Sequence, residues 1–147
     1  MEIVVGDKMK EITFKVRSLD SKRDLALVSL SDGHMLRKLN DIIQEALRWN
    51  NDHLFEFIMK GKPYDPSCRS YQCECEDCDT DDPAFLGFAE KTKIGSVGLT
   101  PKQKFVYHFD YGDEHFFEIE VDEIIQTTKK SKPTVLKRYG KMPKQYE

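Results

Sequence analysis

Apolar and polar residues alternate along the first patterned segment of the chain, residues 10–17. Ile12, Phe14 and Val16 are separated there by charged and hydroxyl side chains. Alternation with a period of two is typical of a β-strand that buries one face. A nearly continuous apolar run at residues 25–30 predicts a second strand, buried on both faces. We expect the two strands to form a hairpin.

The next segment has the period of an amphipathic helix. Leu39 and Ile43 belong to an apolar stripe at helical spacing, and charged side chains occupy the other side. This spacing predicts one helix over residues 35–49. Asp32 or His34 is expected near its N-cap, because a side-chain acceptor there can bind the free N–H groups of the first turn.

The stretch FVYHFDYGDEHFFEIEV, which starts at residue 105, predicts an aromatic hairpin around an acidic turn. A loop with an odd number of residues sets Tyr107 opposite Phe117 and Phe105 opposite Ile119, so that both apolar rows share one face. A slip of one residue would turn a whole row to solvent, which favours the odd loop. Gly112 is expected to supply the positive φ of the turn.

The rest of the chain has weaker patterns. Residues 53–59 and 134–137 predict two more strands, 60–82 reads as irregular, and 84–98 is ambiguous between a short helical turn and irregular packing. Together the elements predict an α+β fold, in which one main amphipathic helix packs on a face of an antiparallel β-sheet. An all-β fold is the alternative, and the clear helical period disfavours it.

The length of 147 residues predicts a single domain over residues 1–147. Within it, residues 60–82 form an acidic, cysteine-rich loop insert, and residues 129–147 form a basic C-terminal segment. No apolar run is long enough to span a membrane, and the N-terminal residues lack the features of a signal peptide. We therefore expect a cytoplasmic protein without a membrane partner.

Three blocks of the sequence carry a resemblance to a known family. They are LNDIIQEALRWNNDHLFEF from residue 39, YHFDYGDEH from residue 107 and GKMPKQY from residue 140. The chain resembles the plasmid pRiA4b open-reading-frame (third ORF) family, some of whose relatives are passenger genes of insertion elements. Asn40 stands where that family often has histidine, and His115 where it usually has tryptophan. The cysteine-rich insert lies outside the shared pattern.

The resemblance implies a small α+β domain whose molecular function is uncharacterised, with a link to mobile genetic elements. The residues agree with this modest expectation, because the sequence contains no nucleophile elbow, phosphate-binding loop, dinucleotide fingerprint or HExxH motif. We predict a small binding or interaction module with an unidentified protein partner and no evident catalysis. The alternative is a zinc-stabilised protein that binds nucleic acid through its basic segment.

Four cysteines offer the one sharp chemical hypothesis. Cys68, Cys73, Cys75 and Cys78 follow the spacing C-x4-C-x-C-x2-C, and four thiolates in one short loop can hold a structural zinc ion. The spacing differs from two standard CxxC knuckles. Free or redox-active thiols in a flexible acidic loop are the alternative.

A second candidate site is the polar cluster at the hairpin turn. Carboxylates and imidazoles in this arrangement can bind a metal or a ligand, or transfer protons. Ordinary turn chemistry, with the other side chains facing water, is the alternative that we favour. The candidate binding residues are His108, Asp110, Asp113 and Glu114, with His115 beside them. The wetter face of the hairpin is expected to carry His108, Asp110 and Glu114, together with Glu118 and Glu120.

For three further features the structural interpretation is the simpler one. Trp49 and nearby aromatic residues can line a pocket or, more simply, pack in the core. His53 is expected to cap or hydrogen-bond at the junction between helix and strand. The basic segment can bind phosphates or serve as a solvated tail that balances the acidic hairpin. Its cationic residues are Lys129, Lys130, Lys132, Lys137, Arg138, Lys141 and Lys144.

Overall fold

The computed structural model describes residues 9–146, so the prediction about a signal peptide lies outside the described residues. The elements are β1 (Met9–Ser18), β2 (Asp24–Ser31), α1 (Leu36–Leu47), β3 (Phe55–Lys60), β4 (Arg69–Gln72), β5 (Phe85–Phe88), β6 (Lys104–Phe109), β7 (His115–Thr127) and β8 (Thr134–Arg138). Two single turns of 3-10 helix, Ala89–Lys91 and Ile94–Ser96, connect β5 to β6. The α1 helix is too short and too polar to cross a membrane, and the same holds for both turns.

The eight strands form one sheet in the order β5-β4-β3-β6-β7-β1-β2-β8. Neighbouring strands are antiparallel except for the parallel pair β4 and β5. The α1 helix packs on one face of the sheet, and we call the opposite face the outer face. The predicted α+β fold is confirmed, and the parallel edge pair makes the sheet mixed rather than purely antiparallel.

Both predicted hairpins are present, and the second has the predicted register. Strands β1 and β2 pair with Phe14 opposite Val28. In β6 and β7, Tyr107 lies opposite Phe117 and Phe105 opposite Ile119, across an odd loop. The register therefore follows from keeping one aromatic row per strand on the buried face.

The prediction that Gly112 supplies the positive φ of the β6–β7 turn is wrong. The left-handed residues are Asp110, with φ 66°, and Glu114, with φ 54°. The Asp110 carboxylate accepts hydrogen bonds from the backbone N–H groups of Gly112 and Asp113. An aspartate that bonds its own turn in this way tolerates a left-handed backbone.

The helix begins without the predicted cap. No side chain within residues 9–146 bonds the N–H groups of its first turn, whereas the Leu36 N–H donates to the carbonyl oxygen of Thr92. Asp32 instead accepts a hydrogen bond from the Lys10 N–H, and the His34 ring bonds the Ser131 carbonyl. A distant backbone segment thus supplies the acceptor, which no local sequence pattern can reveal.

The core lies between α1 and the aromatic row of the sheet. Leu39 and Ile43 are completely buried there, as are Phe14 and Tyr107. The aromatic residues named as a possible pocket lining, Trp49 among them, belong to this same core, as the simpler interpretation predicts.

One buried polar contact fixes the helix on the sheet. The Tyr107 hydroxyl donates to the Asn40 side-chain oxygen and accepts from the Gln44 side-chain amide. These groups are satisfied by each other within an apolar layer, and buried polar groups that are paired in this way specify one packing arrangement.

The segment between β3 and β6 is more ordered than predicted. Residues 69–72 form β4, so the irregular interpretation of this stretch is wrong, and residues 85–88 form β5, which is neither of the two alternatives given for them. Each strand has only four residues, and a period of two cannot be recognised over so short a window. The cysteine-rich insert therefore adds a strand to the sheet and is not a separate irregular loop.

Candidate functional site

A row of four side chains crosses the outer face of the sheet. Cross-strand pairing aligns Gln72 of β4 with Glu56 of β3, Glu56 with His108 of β6, and His108 with Phe116 of β7. Residues that alternate with this row, such as Tyr107, belong to the core on the helix side. Because successive side chains of a strand point to opposite faces, the row is directed away from the helix.

His108 is the centre of this row. Its side chain is 1% exposed, and its Nδ1 lies 2.8 Å from Oε2 of Glu56. The imidazole stacks on the Phe116 ring with 4.3 Å between the ring centroids, and the Tyr111 ring lies 4.9 Å away. The predicted wet environment of His108 is therefore wrong, because aromatic rings from neighbouring segments cover it.

The second ring nitrogen of His108 has no hydrogen-bond partner among residues 9–146. An ionised carboxylate only accepts hydrogen bonds, so the nitrogen that faces Glu56 carries the proton. In a neutral imidazole the other nitrogen, Nε2, is then an acceptor. A buried acceptor without a donor costs free energy, and such groups are rare in proteins.

A cavity of about 680 Å³ lies over this row. Its volume is in the range of roughly 300–1,000 Å³ that is typical of small-molecule sites. We call it the outer-face cavity. Its floor consists of Glu56, Gln72, His108 and Tyr111, and its walls consist of Tyr64, Asp65, Pro66 and Cys68 on one side and of Asp82, Pro83 and Ala84 on the other.

The outer-face cavity is acidic. Three carboxylates line it, those of Glu56, Asp65 and Asp82, and no lysine or arginine of the described residues does. Neither Asp65 nor Asp82 forms an ion pair with a described residue.

The negative charge of the cavity helps to raise the pKa values of ionisable groups in its lining. Burial, followed by the charge of Glu56, raises the pKa of the Cys68 thiol and that of Tyr111. The hydrogen bond to Glu114, together with burial and the charge of Glu56, raises the pKa of Tyr64 to about 12.

The structure divides the predicted binding residues between two places. His108 belongs to the outer-face cavity, whereas Asp110, Asp113 and His115 lie at the end of the hairpin with potential ligand atoms within 4.8 Å of one another. Asp110 is buried and holds the turn, as the structural interpretation predicts. The Glu114 carboxylate accepts the Tyr64 hydroxyl hydrogen bond and so supports one wall of the cavity.

His53 and the acidic side chains of β7 have structural partners. The His53 ring lies between Asp52, 2.8 Å from Nδ1, and Asp110, 3.5 Å from Nε2, at the predicted junction. Glu118 and Glu120 are buried rather than wet, because Arg17 of β1 bonds both of them.

The four cysteines do not meet at one point in the structure. Cys75 and Cys78 form a disulfide, whereas Cys68 and Cys73 are separate buried thiols. The Cys73 sulfur accepts a hydrogen bond from the Phe55 N–H in the core, and Cys68 lines the outer-face cavity. A four-thiolate zinc site would require a reduced and rearranged loop, and zinc binding stays a prediction.

The basic segment is partly committed to the fold. The Arg138 guanidinium donates to the carbonyl oxygens of Ala46 and Glu45 at the C-terminal end of α1. The Glu45 carbonyl also accepts the Arg48 N–H, so Arg138 adds to the backbone cap of the helix. The Lys137 ammonium lies 4.7 Å from the centre of the Tyr139 ring. The six lysines of the segment pair with no carboxylate among the described residues: Lys129, Lys130, Lys132, Lys137, Lys141 and Lys144.

Sequence reasoning found His108 but missed the residues around it. Glu56 lies at an alternating polar position of the predicted strand 53–59. This alternation was the sequence feature that could have indicated its place on the outer face. Asp65 and Asp82 belong to the acidic insert, but nothing in the insert indicates which of its acids turn toward the sheet. Tyr64 and Gln72 carry no signal, because their position depends on β4 joining the sheet.

The fold and the cavity together define a small α+β protein with one helix on an eight-stranded mixed sheet and an acidic hollow on the other face. The chain belongs to the plasmid pRiA4b ORF-3-like protein family, which it matches over residues 22–145. This agrees with the resemblance seen in the three sequence blocks. None of the curated proteins matches the chain.

A solved structure has the same fold. It is a protein of unknown function, MM3350, from Methanosarcina mazei Go1, with a TM-score of 0.66 and 16% sequence identity. The match covers 96% of this chain and 74% of that one. At this level of identity the similarity concerns the fold alone.

Proposed function

We propose that the protein is a small binding module that holds its ligand in the outer-face cavity and catalyses no reaction on it. The observation that carries the proposal is the unpartnered Nε2 of the buried His108 beneath a cavity of ligand size. A pocket with apolar walls and a few convergent polar groups is the usual form of a ligand site. The plasmid origin in the family's name supports a role in mobile-element biology at the level of genetic context.

The chemistry of the cavity walls favours binding over catalysis. Cys68 is the strongest potential nucleophile there, but burial and neighbouring carboxylates raise the pKa of its thiol. The protonated thiol is a poor nucleophile. Tyr64 and Tyr111 are held protonated in the same way, since the pKa of each is raised.

A fragment titration tests this proposal. We expect amide and side-chain NMR signals of Glu56, Gln72 and His108 to shift when a panel of charged and neutral aromatic fragments is added to the labelled protein. The His108→Phe variant keeps a ring that can stack on Phe116 but removes both nitrogens, and it should weaken binding of any fragment that bonds Nε2. The proposal is overturned if the whole panel leaves the cavity signals unmoved.

The basic segment supports a second candidate function, nucleic-acid binding. Six exposed lysines that form no ion pair with a described residue are available to phosphates. Lysines on an edge strand also discourage pairing with another sheet, and β8 is such a strand, so Lys137 has a structural explanation.

Salt dependence distinguishes phosphate binding from a solvated tail. If three lysines neutralise phosphates, raising the salt from 50 to 200 mM should weaken binding to a 20-base-pair duplex by about fortyfold. Replacing Lys129, Lys130 and Lys132 with glutamine should abolish this dependence, measured by fluorescence anisotropy. The control makes the same charge change elsewhere, at Lys38, Lys60 and Lys93. Equal binding by the two triple variants would contradict this function.

A further inference from the structure

We infer that the outer-face cavity binds an organic cation, an ammonium or guanidinium group attached to an apolar or aromatic skeleton. The inference rests on the proposed function, because it names the class of ligand for the same cavity. Three independent features of the lining lead to it: the sign of the charge, the direction of the hydrogen bonds and the chemistry of the walls.

The charge of the cavity requires a positive partner. Glu56, Asp65 and Asp82 bring three carboxylates to one cavity without a lysine or arginine among its described lining residues. Like charges that are held together in a partly enclosed space repel each other more strongly than in water. A bound cation relieves this repulsion, whereas an anion would add to it.

The hydrogen bonds of the lining point in one direction. Tyr111 donates its hydroxyl hydrogen to the Phe55 carbonyl, and Tyr64 donates to the Glu114 carboxylate. His108 donates its Nδ1–H to Glu56. The strong donors of these side chains are therefore used within the protein.

The lining consequently offers mainly acceptors to a ligand. They are the three carboxylates and the hydroxyl oxygen of Tyr64, whose side chain is exposed. Ammonium and guanidinium groups carry three and five N–H donors and no acceptor. Such a group complements a lining of this kind, and a carbonyl or phosphate group does not.

The walls add an aromatic and apolar component. Tyr64 of one wall and Tyr111 of the floor lie beside His108, with ring centroids 6.2 and 4.9 Å from the imidazole, and Pro66 and Pro83 complete the walls. Aromatic faces attract cations, most strongly where water is excluded. The cavity of about 680 Å³ exceeds the size of a bare ammonium ion, which is why the cation must carry a skeleton.

Three matched probes test the class of ligand. Benzamidinium, benzamide and benzoate share a ring and differ in charge and donor number. We expect benzamidinium to bind the wild-type protein at least tenfold more tightly than benzamide and to shift the NMR signals of Glu56 and His108. Benzoate should leave them unmoved. The affinity for benzamidinium should fall as salt is raised, because ions screen the attraction.

Glu56→Gln is the decisive variant. The glutamine side-chain oxygen can still accept the Nδ1–H of His108, so the floor of the cavity is preserved while its charge is removed. Losing the carboxylate should weaken benzamidinium binding by roughly ten- to hundredfold. Glu45→Gln makes the same charge change on an exposed position of α1 and should leave the affinity unchanged. A thermal melt of both variants verifies folding, and equal affinities of the two variants would overturn the inference.

The outcomes separate this inference from the proposed function. If benzamide or benzoate binds in the cavity as tightly as benzamidinium does, the proposed class of ligand is wrong and the binding function stands. If none of the three probes shifts the cavity signals but a neutral or anionic fragment does, the cation inference alone fails. If no fragment of the panel shifts them, both fail.

The same cationic chemistry can come from a free amine or from an arginine side chain of a protein. Butylguanidinium and a blocked Ala-Ala-Arg-Ala-Ala peptide each present one guanidinium with a single positive charge in these two forms. Tighter binding of butylguanidinium assigns a free metabolite-like ligand, and tighter binding of the peptide assigns a protein side chain. The inference is contradicted if neither displaces benzamidinium.

Discussion

Replacing Phe57 with alanine is expected to lower the free energy of unfolding by about 3–5 kcal/mol. Phe57 is completely buried, and its ring lies 5.7 Å from Phe55, 6.0 Å from Phe105 and 5.2 Å from Tyr107. The substitution removes apolar contacts with three rings on two strands. The cavity that it leaves lies between β-strands that are fixed by hydrogen bonds and cannot collapse to fill it.

Urea denaturation followed by tryptophan fluorescence measures this loss. Leu136→Ala on β8 is the matched control, because Leu136 is 53% exposed and its truncation should change the stability by less than about 0.5 kcal/mol. If Phe57→Ala does not fold, Phe57→Leu should show a smaller loss of about 1–2 kcal/mol. Equal stabilities of the Phe57 and Leu136 variants would contradict the described core.

Replacing Arg17 with methionine is expected to cost about 2–3 kcal/mol. The Arg17 guanidinium lies 2.5 Å from Glu120 and 3.4 Å from Glu118 on the outer face. Methionine keeps an apolar side chain of similar length. The two largely buried carboxylates, however, lose the positive charge of Arg17. The expected loss is below that of a fully buried pair, because Lys22 still bonds Glu118 and both carboxylates retain some contact with water.

The loss should depend on pH in a defined direction. Burial alone would raise the pKa of Glu118, but the hydrogen bond from Lys22 and the charges of Lys22, Lys104 and Arg17 outweigh it and lower the pKa below 4.5. A carboxylate whose pKa is lower in the folded state stabilises the fold above the unfolded value. This contribution is lost as the pH falls through the folded value. The difference between wild type and Arg17→Met should therefore shrink below about pH 4.5.

Denaturation curves at pH 7 and at pH 3.5 verify both parts of this prediction. The control is Lys102→Met, because Lys102 is 70% exposed and lies 3.9 Å from Asp122, a weak surface pair. Its stability should match that of the wild type at both pH values. A loss for Arg17→Met that is the same at both pH values would argue against the ion-pair network.

The parts of the fold that the sequence predicts are those with a long or constrained pattern. The α1 helix follows from its apolar stripe, and the register of β6 and β7 follows from aromatic rows that must share a face. The strands β4 and β5 escape prediction because four residues give no period. The start of the helix at Leu36 is equally hidden, since its acceptor is the Thr92 carbonyl on a distant segment.

The candidate site could be predicted only in part, for a related reason. His108 is conspicuous as a titratable residue in the aromatic hairpin, but its partner Glu56 is recognisable only once β3 and β6 are known to be neighbours. Strand adjacency is a property of the whole sheet and not of either strand. The acids of the insert reach the cavity because β4 and β5 extend the sheet, and this was invisible in the sequence.

The floor and the walls of the outer-face cavity come from different parts of the chain. Glu56 and His108 come from central strands whose other side is the core, so their positions are tied to the integrity of the whole protein. The walls come from residues 64–68 and 82–84, in connections near one edge of the sheet. If the cavity holds a ligand as we propose, substitutions in those connections are expected to change which ligand is accepted without disturbing the hydrophobic layer. Ligand selectivity and fold stability would then be encoded in separate stretches of the chain and could diverge independently.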